Sequence, residues 1–249
     1  MTNAQRNSFD SAELARLRWE ILHQGFATDL FLSADPDVPV FGLNLACAWP
    51  FPAALECDYN SLAEKISSLD PAIYVYPFWE THVTILTFVN FALHRNPAPE
   101  LVENFETLAV DLGEMLKAIF ADEFSEPIRA FDLLFGAPVL TRKAGILPLG
   151  NPSGEIPRIR RRVVERLEKE NLLREKLTAT GVNVPKIIHS TFLRFRAPPE
   201  NLSALCAGFD GISAQTKLGP ARIGEIFLTA ETKPYMRAGK ILQRFPLKP

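Results

Sequence analysis

The sequence has few cysteines and no long apolar run. Only three of its 249 residues are cysteine, and they lie too far apart for a CxxC pair or a disulfide framework, which suits a reducing compartment. No stretch approaches the roughly eighteen apolar residues of a membrane span. The first twenty residues also lack the apolar core of a secretory signal. We therefore expect a soluble, cytoplasmic protein with no membrane partner.

The chain also lacks a large excess of either charge. Lysine and arginine total 27 and aspartate and glutamate total 29, so the formal net charge is −2. A chain with this balance is not a polycation that binds nucleic acid over its whole surface, so any phosphate-binding site must be local. The hydrophobic fraction of 47% and the charged fraction of 22% are those of an ordinary globular protein.

Several common catalytic motifs are absent from the sequence. It contains no Walker loop, no GxGxxG, no HExxH and no GxSxG. P-loop nucleotide hydrolysis, dinucleotide binding, zinc proteolysis and serine hydrolysis are therefore not indicated. We predict no cofactor and no bound metal, although a ligand set assembled from distant residues stays open at this point.

Prolines are frequent, and their placement predicts where helices lie. The 20 prolines are about 8% of the chain, against a usual value of about 5%. Two long stretches of the chain contain no proline, and in the first of these the apolar residues follow helical spacing. The predicted helices are 11–23, 61–69, 100–120, 158–177 and 201–208. The predicted strands, rich in β-branched and aromatic residues, are 40–49, 82–90, 128–139, 187–195, 223–230 and 241–247.

The order of these elements repeats once along the chain. Each half contains a helix, a strand with a His-x-Thr sequence, a helix opened by proline, and a further strand. This order favours an α+β fold over a doubly wound parallel sheet. Residues typical of linkers accumulate at 33–39 and 148–157. We therefore divide the chain into an N-terminal helical extension, 1–35, and one domain, 36–249, with the junction of its halves near 148–157.

Two of the four histidines lie in nearly the same sequence context. His82 and Thr84 belong to THVTILTF, and His189 and Thr191 belong to HSTFLRF. Side chains alternate between the two faces of a strand, so each histidine shares a face with its threonine. If the two halves pack face to face, two imidazoles and two hydroxyls converge on one cleft. The two remaining histidines, His23 and His94, receive no role.

This set of side chains suits metal-free phosphoryl chemistry. Near neutral pH one imidazole can accept a proton while the other donates one. Threonine hydroxyls can donate hydrogen bonds to the phosphoryl oxygens, where charge accumulates in the transition state. The alternative for either motif alone is a hydrogen-bonded core histidine; the occurrence of two motifs at matching places favours the catalytic interpretation.

On these motifs, the sequence resembles the two-histidine (2H) phosphoesterase superfamily. The resemblance extends over about residues 40–247 and includes a closing strand, ILQRFPL. It implies a bilobal fold of two antiparallel sheets related by a pseudo-two-fold axis, with helices outside and a central groove. It also implies metal-independent hydrolysis or transfer at 2′,3′-cyclic phosphates or 2′-5′ linkages of a nucleotide or RNA end, with His82 more often the acid and His189 the base. No obligatory protein partner is evident.

Two further residues are candidates for substrate binding. Many superfamily members carry arginine or tyrosine five residues after the second histidine, which is the position of Arg194. Simple alternation points Arg194 away from His189 unless the strand twists or bulges. Tyr235, in the loop before the last strand, is a candidate contact at the rim.

Other interpretations of the same residues stay open. The arginines between 158 and 162 crowd the start of a predicted helix, where an anionic partner would be favourable, but a solvated face is the more common explanation. The groove is also compatible with a module that binds a nucleotide or RNA end without turnover. A metal-dependent hydrolase that uses the histidines as ligands is the third possibility.

Overall fold

The computed structural model describes residues 11–33, 39–93, 99–121, 126–177 and 180–249. It is an α+β structure, as the sequence predicts, and its strands form two antiparallel sheets. The helices are α1 (Ser11–Gln24), α2 (Leu30–Ser33), α3 (Glu56–Ser67), α4 (Pro99–Ala121), α5 (Glu155–Lys169), α6 (Asn171–Leu177) and α7 (Leu202–Gln215). The strands are β1 (Gly42–Cys47), β2 (Ile73–Val75), β3 (Val83–Val89), β4 (Phe131–Phe135), β5 (Val139–Leu140), β6 (Gly145–Gly150), β7 (His189–Phe195), β8 (Ala221–Ile223), β9 (Glu225–Glu231) and β10 (Gly239–Pro246). None of the helices in the described part of the chain is long and apolar enough to cross a membrane.

The two sheets exchange strands between the halves of the sequence. The first sheet has the order β10-β9-β1-β3, so the two C-terminal strands share a sheet with two strands from the N-terminal half, and β9 pairs directly with β1. The second sheet has the order β2-β7-β6-β4-β8, with β5 beside β6. The fold is bilobal with one sheet in each lobe, as expected, but each lobe takes strands from both halves of the sequence. Each His-x-Thr strand nevertheless lies in its own sheet.

The sequence prediction missed strand β6. We assigned residues 148–157 to a linker, yet this segment contains the end of β6, a turn at 151–154 and the start of α5. The prolines, glycines, serine and asparagine of this segment suggested a linker. Pro148 instead lies opposite His189, the first residue of β7. The amide of the next residue, Leu149, donates to Ile188 O at 2.9 Å, so the pairing of the two segments continues past the proline.

Apolar stripes on the helices cover the sheets. The stripe predicted for residues 100–120 is confirmed, since Leu108, Leu112 and Met115 are all buried in α4. The predicted helix 158–177 is two helices, because the backbone leaves helical geometry at Glu170. The residues of the predicted apolar stripe are buried as expected: Ile159, Val163, Leu167, Leu173 and Leu177.

The N-terminal extension packs against the second sheet. The Phe26 ring stacks on the Phe195 ring with centroids 3.8 Å apart, and the amide of Asp29 donates to Phe195 O at 2.8 Å. Residues 1–10 and 34–35 of the predicted extension lie outside the described residues, as does most of the predicted linker at 33–39. The described part of the extension is thus attached to the end of β7, close to the second histidine motif.

Candidate active site

The two His-x-Thr motifs meet in one cleft. A cavity of about 240 Å³ is lined by His82, Thr84, His189 and Thr191. Strand β3, which carries the first motif, is tied to the segment that leads into β7 by Thr87, whose backbone exchanges two hydrogen bonds of 2.9 Å with that of Asn183. The structure therefore brings together the four residues that the motifs predicted.

Both imidazole rings are oriented by a carbonyl group two residues earlier in the chain. Nδ1 of His82 lies 2.9 Å from Glu80 O, and Nδ1 of His189 lies 3.4 Å from Ile187 O. A carbonyl oxygen only accepts hydrogen bonds, so Nδ1 carries the proton in each ring. Nε2 is then the nitrogen available to accept or donate a proton in the cleft.

Burial makes both histidines less basic than in water. The pKa of His82 is lowered by burial, while the hydrogen bond to Glu80 O opposes this shift and nearby His189 adds to it. The pKa of His189 is also lowered by burial, opposed by the bond to Ile187 O and reinforced by the charges of Arg160 and Arg194. In the free protein, both rings are therefore mainly neutral at pH 7.

A β-bulge follows each histidine at the same distance. In β3 the partner register changes between Thr84 and Leu86, which leaves Ile85 as the extra residue. In β7 it changes between Thr191 and Leu193, which leaves Phe192 as the extra residue. Ile85 and Phe192 are each three residues after the histidine of their motif, so the pseudo-symmetry extends beyond the motifs themselves.

The bulges decide which later side chains reach the cleft. An extra residue reverses the alternation, so the position five residues after the histidine returns to the face of the histidine. These positions are Thr87 and Arg194, and both line the cavity. The inclusion of Arg194, which simple alternation opposed, therefore has a physical cause.

Other parts of the chain satisfy the carbonyl groups of the two bulge residues. Ile85 O accepts a 2.8 Å hydrogen bond from Nε of the buried Arg160, and Phe192 O accepts one of 2.8 Å from the Tyr76 amide. Buried carbonyl groups without partners are costly, so these bonds stabilise the bulged geometry.

Arg194 is held by three side chains. Its Nε donates to the Tyr76 hydroxyl at 3.1 Å, and its guanidinium lies 4.7 Å from the centroid of the Tyr235 ring. Oδ2 of Asp29, in the N-terminal extension, lies 3.5 Å from Nη1 of Arg194. The same oxygen accepts a hydrogen bond from the Tyr235 hydroxyl. Tyr235 is 8% exposed and stacks on Tyr76, so it is part of the cavity wall rather than of an open rim.

Sequence reasoning missed several polar residues of the cavity. Asn44, Thr87, Asn183 and Glu231 all line it. Asn44 is a single polar residue in an otherwise apolar strand, Thr87 follows the first motif without being part of its His-x-Thr pattern, and Glu231 ends a strand that carries no motif. A buried glutamate in a strand is unusual, and that was the one signal available for Glu231.

The arginines between 158 and 162 do not form a free basic patch. The guanidinium of Arg158 forms ion pairs with the carboxylates of Glu155, at 2.5 Å, and Glu126, at 3.0 Å. Nη2 of Arg162 donates to the backbone oxygen of Glu126 at 2.6 Å. Helix α5 begins at Glu155, earlier than predicted, so the arginines do not crowd its first turn. Of this group, Arg160 affects the site, through the bulge in β3.

No group of three histidine, cysteine, aspartate or glutamate side chains suited to a metal ion occurs within the described ranges. His94 lies outside those ranges. The polar groups of the cavity are imidazoles, hydroxyls, amides, one guanidinium and one carboxyl group. This composition suits an anion bound by hydrogen bonds.

Comparisons with known proteins show similarity of fold at low sequence identity. No family profile matches the chain, and no curated protein matches it. The protein ATU0111 from Agrobacterium tumefaciens strain C58, of unknown function, matches with 12% identity and a TM-score of 0.57, over 95% of this chain and 100% of that one. TT0787 of Thermus thermophilus matches with 15% identity and a TM-score of 0.49, over 83% and 98% of the two chains. Escherichia coli LigT in complex with 3′-AMP matches with 17% identity and a TM-score of 0.43, over 85% and 99%.

Proposed function

We propose that this protein is a metal-independent phosphodiesterase of the two-histidine type. The observation that carries the proposal is the convergence of His82, Thr84, His189 and Thr191 on one cavity, with each imidazole oriented by Nδ1 and Nε2 available. The predicted substrate is a cyclic phosphate or a 2′-5′ phosphodiester of a nucleotide or RNA end. The nucleotide part of the proposal comes from the resemblance of the motifs.

In the proposed reaction the two imidazoles divide the proton transfers. One neutral ring accepts a proton at Nε2 from a water molecule, whose oxygen attacks phosphorus. The other ring, protonated, donates its Nε2 proton to the sugar oxygen as the bond from phosphorus to that oxygen breaks. The resemblance assigns the acid to His82 and the base to His189, and the pseudo-symmetric geometry is compatible with either order.

The remaining side chains bind the phosphoryl group. The hydroxyls of Thr84 and Thr191 donate hydrogen bonds to non-bridging oxygens, and Arg194 supplies the positive charge. Arg194 is restrained by Tyr76, Tyr235 and Asp29, so little conformational entropy is lost when the anion binds.

The test is turnover of a small substrate panel by wild-type protein and by two single variants. The panel contains 2′,3′-cyclic nucleotides and a 2′-5′-linked dinucleotide. We expect His82→Ala and His189→Ala each to lower kcat by at least about 100-fold, while wild-type turnover persists in EDTA. His23→Ala is the matched control, because His23 is an exposed residue of α1 outside the cavity.

Three outcomes would contradict the proposal. Unchanged kcat in both histidine variants would exclude the acid–base role. Loss of wild-type turnover in EDTA together with stoichiometric zinc would identify a metal-dependent hydrolase. Tight binding of 2′,3′-cyclic AMP with no product would identify a binding module.

A further inference from the structure

One carboxyl group in the cavity has no role in the mechanism above. Glu231, the last residue of β9, lines the same cavity as the two histidines and is 4% exposed. Its Oε1 accepts a 2.8 Å hydrogen bond from Nδ2 of Asn44. Its Oε2 is buried and has no hydrogen-bond partner among the described residues. An unpartnered polar atom beside a ligand cavity is one that a ligand can satisfy.

The two residues directly opposite Glu231 in the neighbouring strands have no side chain that could pair with it. Its neighbour across β1 is Gly42 and its neighbour across β10 is Gly239. The backbone is tight here, since a Cβ atom at Gly42 would lie 3.2 Å from Cβ of Glu231. The carboxyl group therefore depends on Asn44 and on the groups across the cavity.

Arg194 of β7 is the cation that acts on Glu231 across this cavity. Arg194 already binds the Tyr76 hydroxyl and the carboxylate of Asp29. Its positive charge is therefore shared with Asp29 and does not by itself balance a negative charge on Glu231. The other titratable side chains of the cavity are His82, His189, Tyr76 and Tyr235.

Burial therefore dominates the protonation of Glu231. It raises the pKa of the carboxyl group to about 8, although the hydrogen bond from Asn44 and the charge of Arg194 both lower it. At pH 7 the group is mainly a neutral carboxylic acid, which can donate a hydrogen bond. A carboxylate at the same place would repel a phosphate.

We propose that Glu231, positioned by Asn44, is a neutral hydrogen-bond donor to an oxygen of the anionic ligand, and that ionisation of Glu231 closes the cavity to anions. The inference rests on the proposed function, because it assumes that the phosphodiester binds in this cavity. It assigns the cavity to anionic phosphoesters and gives their binding an upper pH limit.

The test is the affinity for sulfate, whose charge is constant across the range used, at pH 7.0 and pH 9.5. For wild-type protein we expect the Kd to increase by at least about tenfold, because affinity that needs one bound proton falls tenfold per pH unit above the pKa. For Glu231→Gln we expect less than about a threefold change, because glutamine keeps the bond from Asn44 and a donor at the place of Oε2 without an ionisable proton. The two histidines, with lowered pKa values, and the two tyrosines, with raised ones, do not titrate in this range.

A second variant protects the test if Glu231→Gln does not fold. Asn44→Ala removes a hydrogen bond that favours the ionised carboxyl group, so the fall in sulfate affinity is expected to move to higher pH. A purely structural role for Asn44 would not move this midpoint.

The outcomes separate this inference from the proposed function. Equal pH dependence in wild-type protein and Glu231→Gln would overturn the inference, even if both histidine variants lose turnover. Absence of sulfate binding at pH 7.0 would overturn it as well. Glu231-dependent sulfate binding without turnover of any phosphodiester would support the inference and contradict the enzymatic proposal.

Discussion

At the scale of single residues, the two buried imidazoles set the expected pH dependence. Acid–base catalysis needs one ring protonated and the other neutral, and burial lowers the pKa of both. The fraction of molecules in which one of the two imidazoles is protonated and the other is neutral is therefore largest at a pH below the usual histidine pKa. We expect a bell-shaped profile of kcat/KM with its maximum below about pH 6.5, measured with a 2′,3′-cyclic nucleotide. A maximum above about pH 7.5 would contradict this assignment of the two rings.

The residues of the site differ in how far sequence alone reveals them. His82 and His189 are found because each has a threonine two positions later, which is a pattern of period two within a strand. Glu231 and Asn44 are not found, because their position depends on pairing between strands that lie 187 residues apart in the chain. Asp29 is missed for the same reason, since only the folded chain brings the N-terminal extension to Arg194.

At the scale of secondary-structure elements, the bulge in β7 requires a glycine opposite it. Gly145 of β6 pairs with Leu193, and a Cβ atom at Gly145 would lie 2.5 Å from Cγ of Leu193. Leu193 is fully buried, so its side chain cannot swing out into solvent to relieve this contact. We expect Gly145→Ala to lower the free energy of unfolding by about 1–3 kcal/mol, measured by denaturant titration.

The same substitution should also affect the site, because Arg194 follows Leu193 directly. We expect a raised KM with a smaller change in kcat, since Arg194 binds the phosphoryl group. Gly211→Ala is the matched control: Gly211 lies in α7 with nothing within 4 Å of its added Cβ, so a gain of about 0.5–1 kcal/mol is expected. Equal effects of the two substitutions would argue against a requirement for glycine at the bulge.

Sequence patterns predicted the elements better than their arrangement. The helical spacing of residues such as Leu108 and Leu112 located α4 correctly, because burial of one face is a local signal. The bulges at Ile85 and Phe192 were not predictable, because both residues are apolar and fit an unbroken strand equally well. Likewise, β9 joins the first sheet by pairing with the distant strand β1, and no local sequence pattern reveals this pairing.

At the scale of the whole molecule, Glu231 makes stability depend on pH. Its pKa is about 8 in the folded chain and 4.5 as the ordinary value, so folding favours the protonated group. This contribution is fully present below pH 4.5, falls as the pH rises to about 8 and is constant above that. We expect the Tm of Glu231→Gln minus that of wild-type protein to increase between about pH 5 and 8 and then level off, measured by thermal unfolding. A constant difference over this range would show that Glu231 is ionised in the folded protein.

The exchange of strands between the two sheets limits how this architecture can be divided. A break anywhere between β4 and β8 takes β9 and β10 from the first sheet and separates β4 of the second sheet from β8, its partner. Neither fragment would hold a complete hydrophobic face, so the lobes are interlocked and not interchangeable modules. Gene fission inside this range would therefore separate strands that pair with each other, and we expect the two histidine motifs to be inherited together.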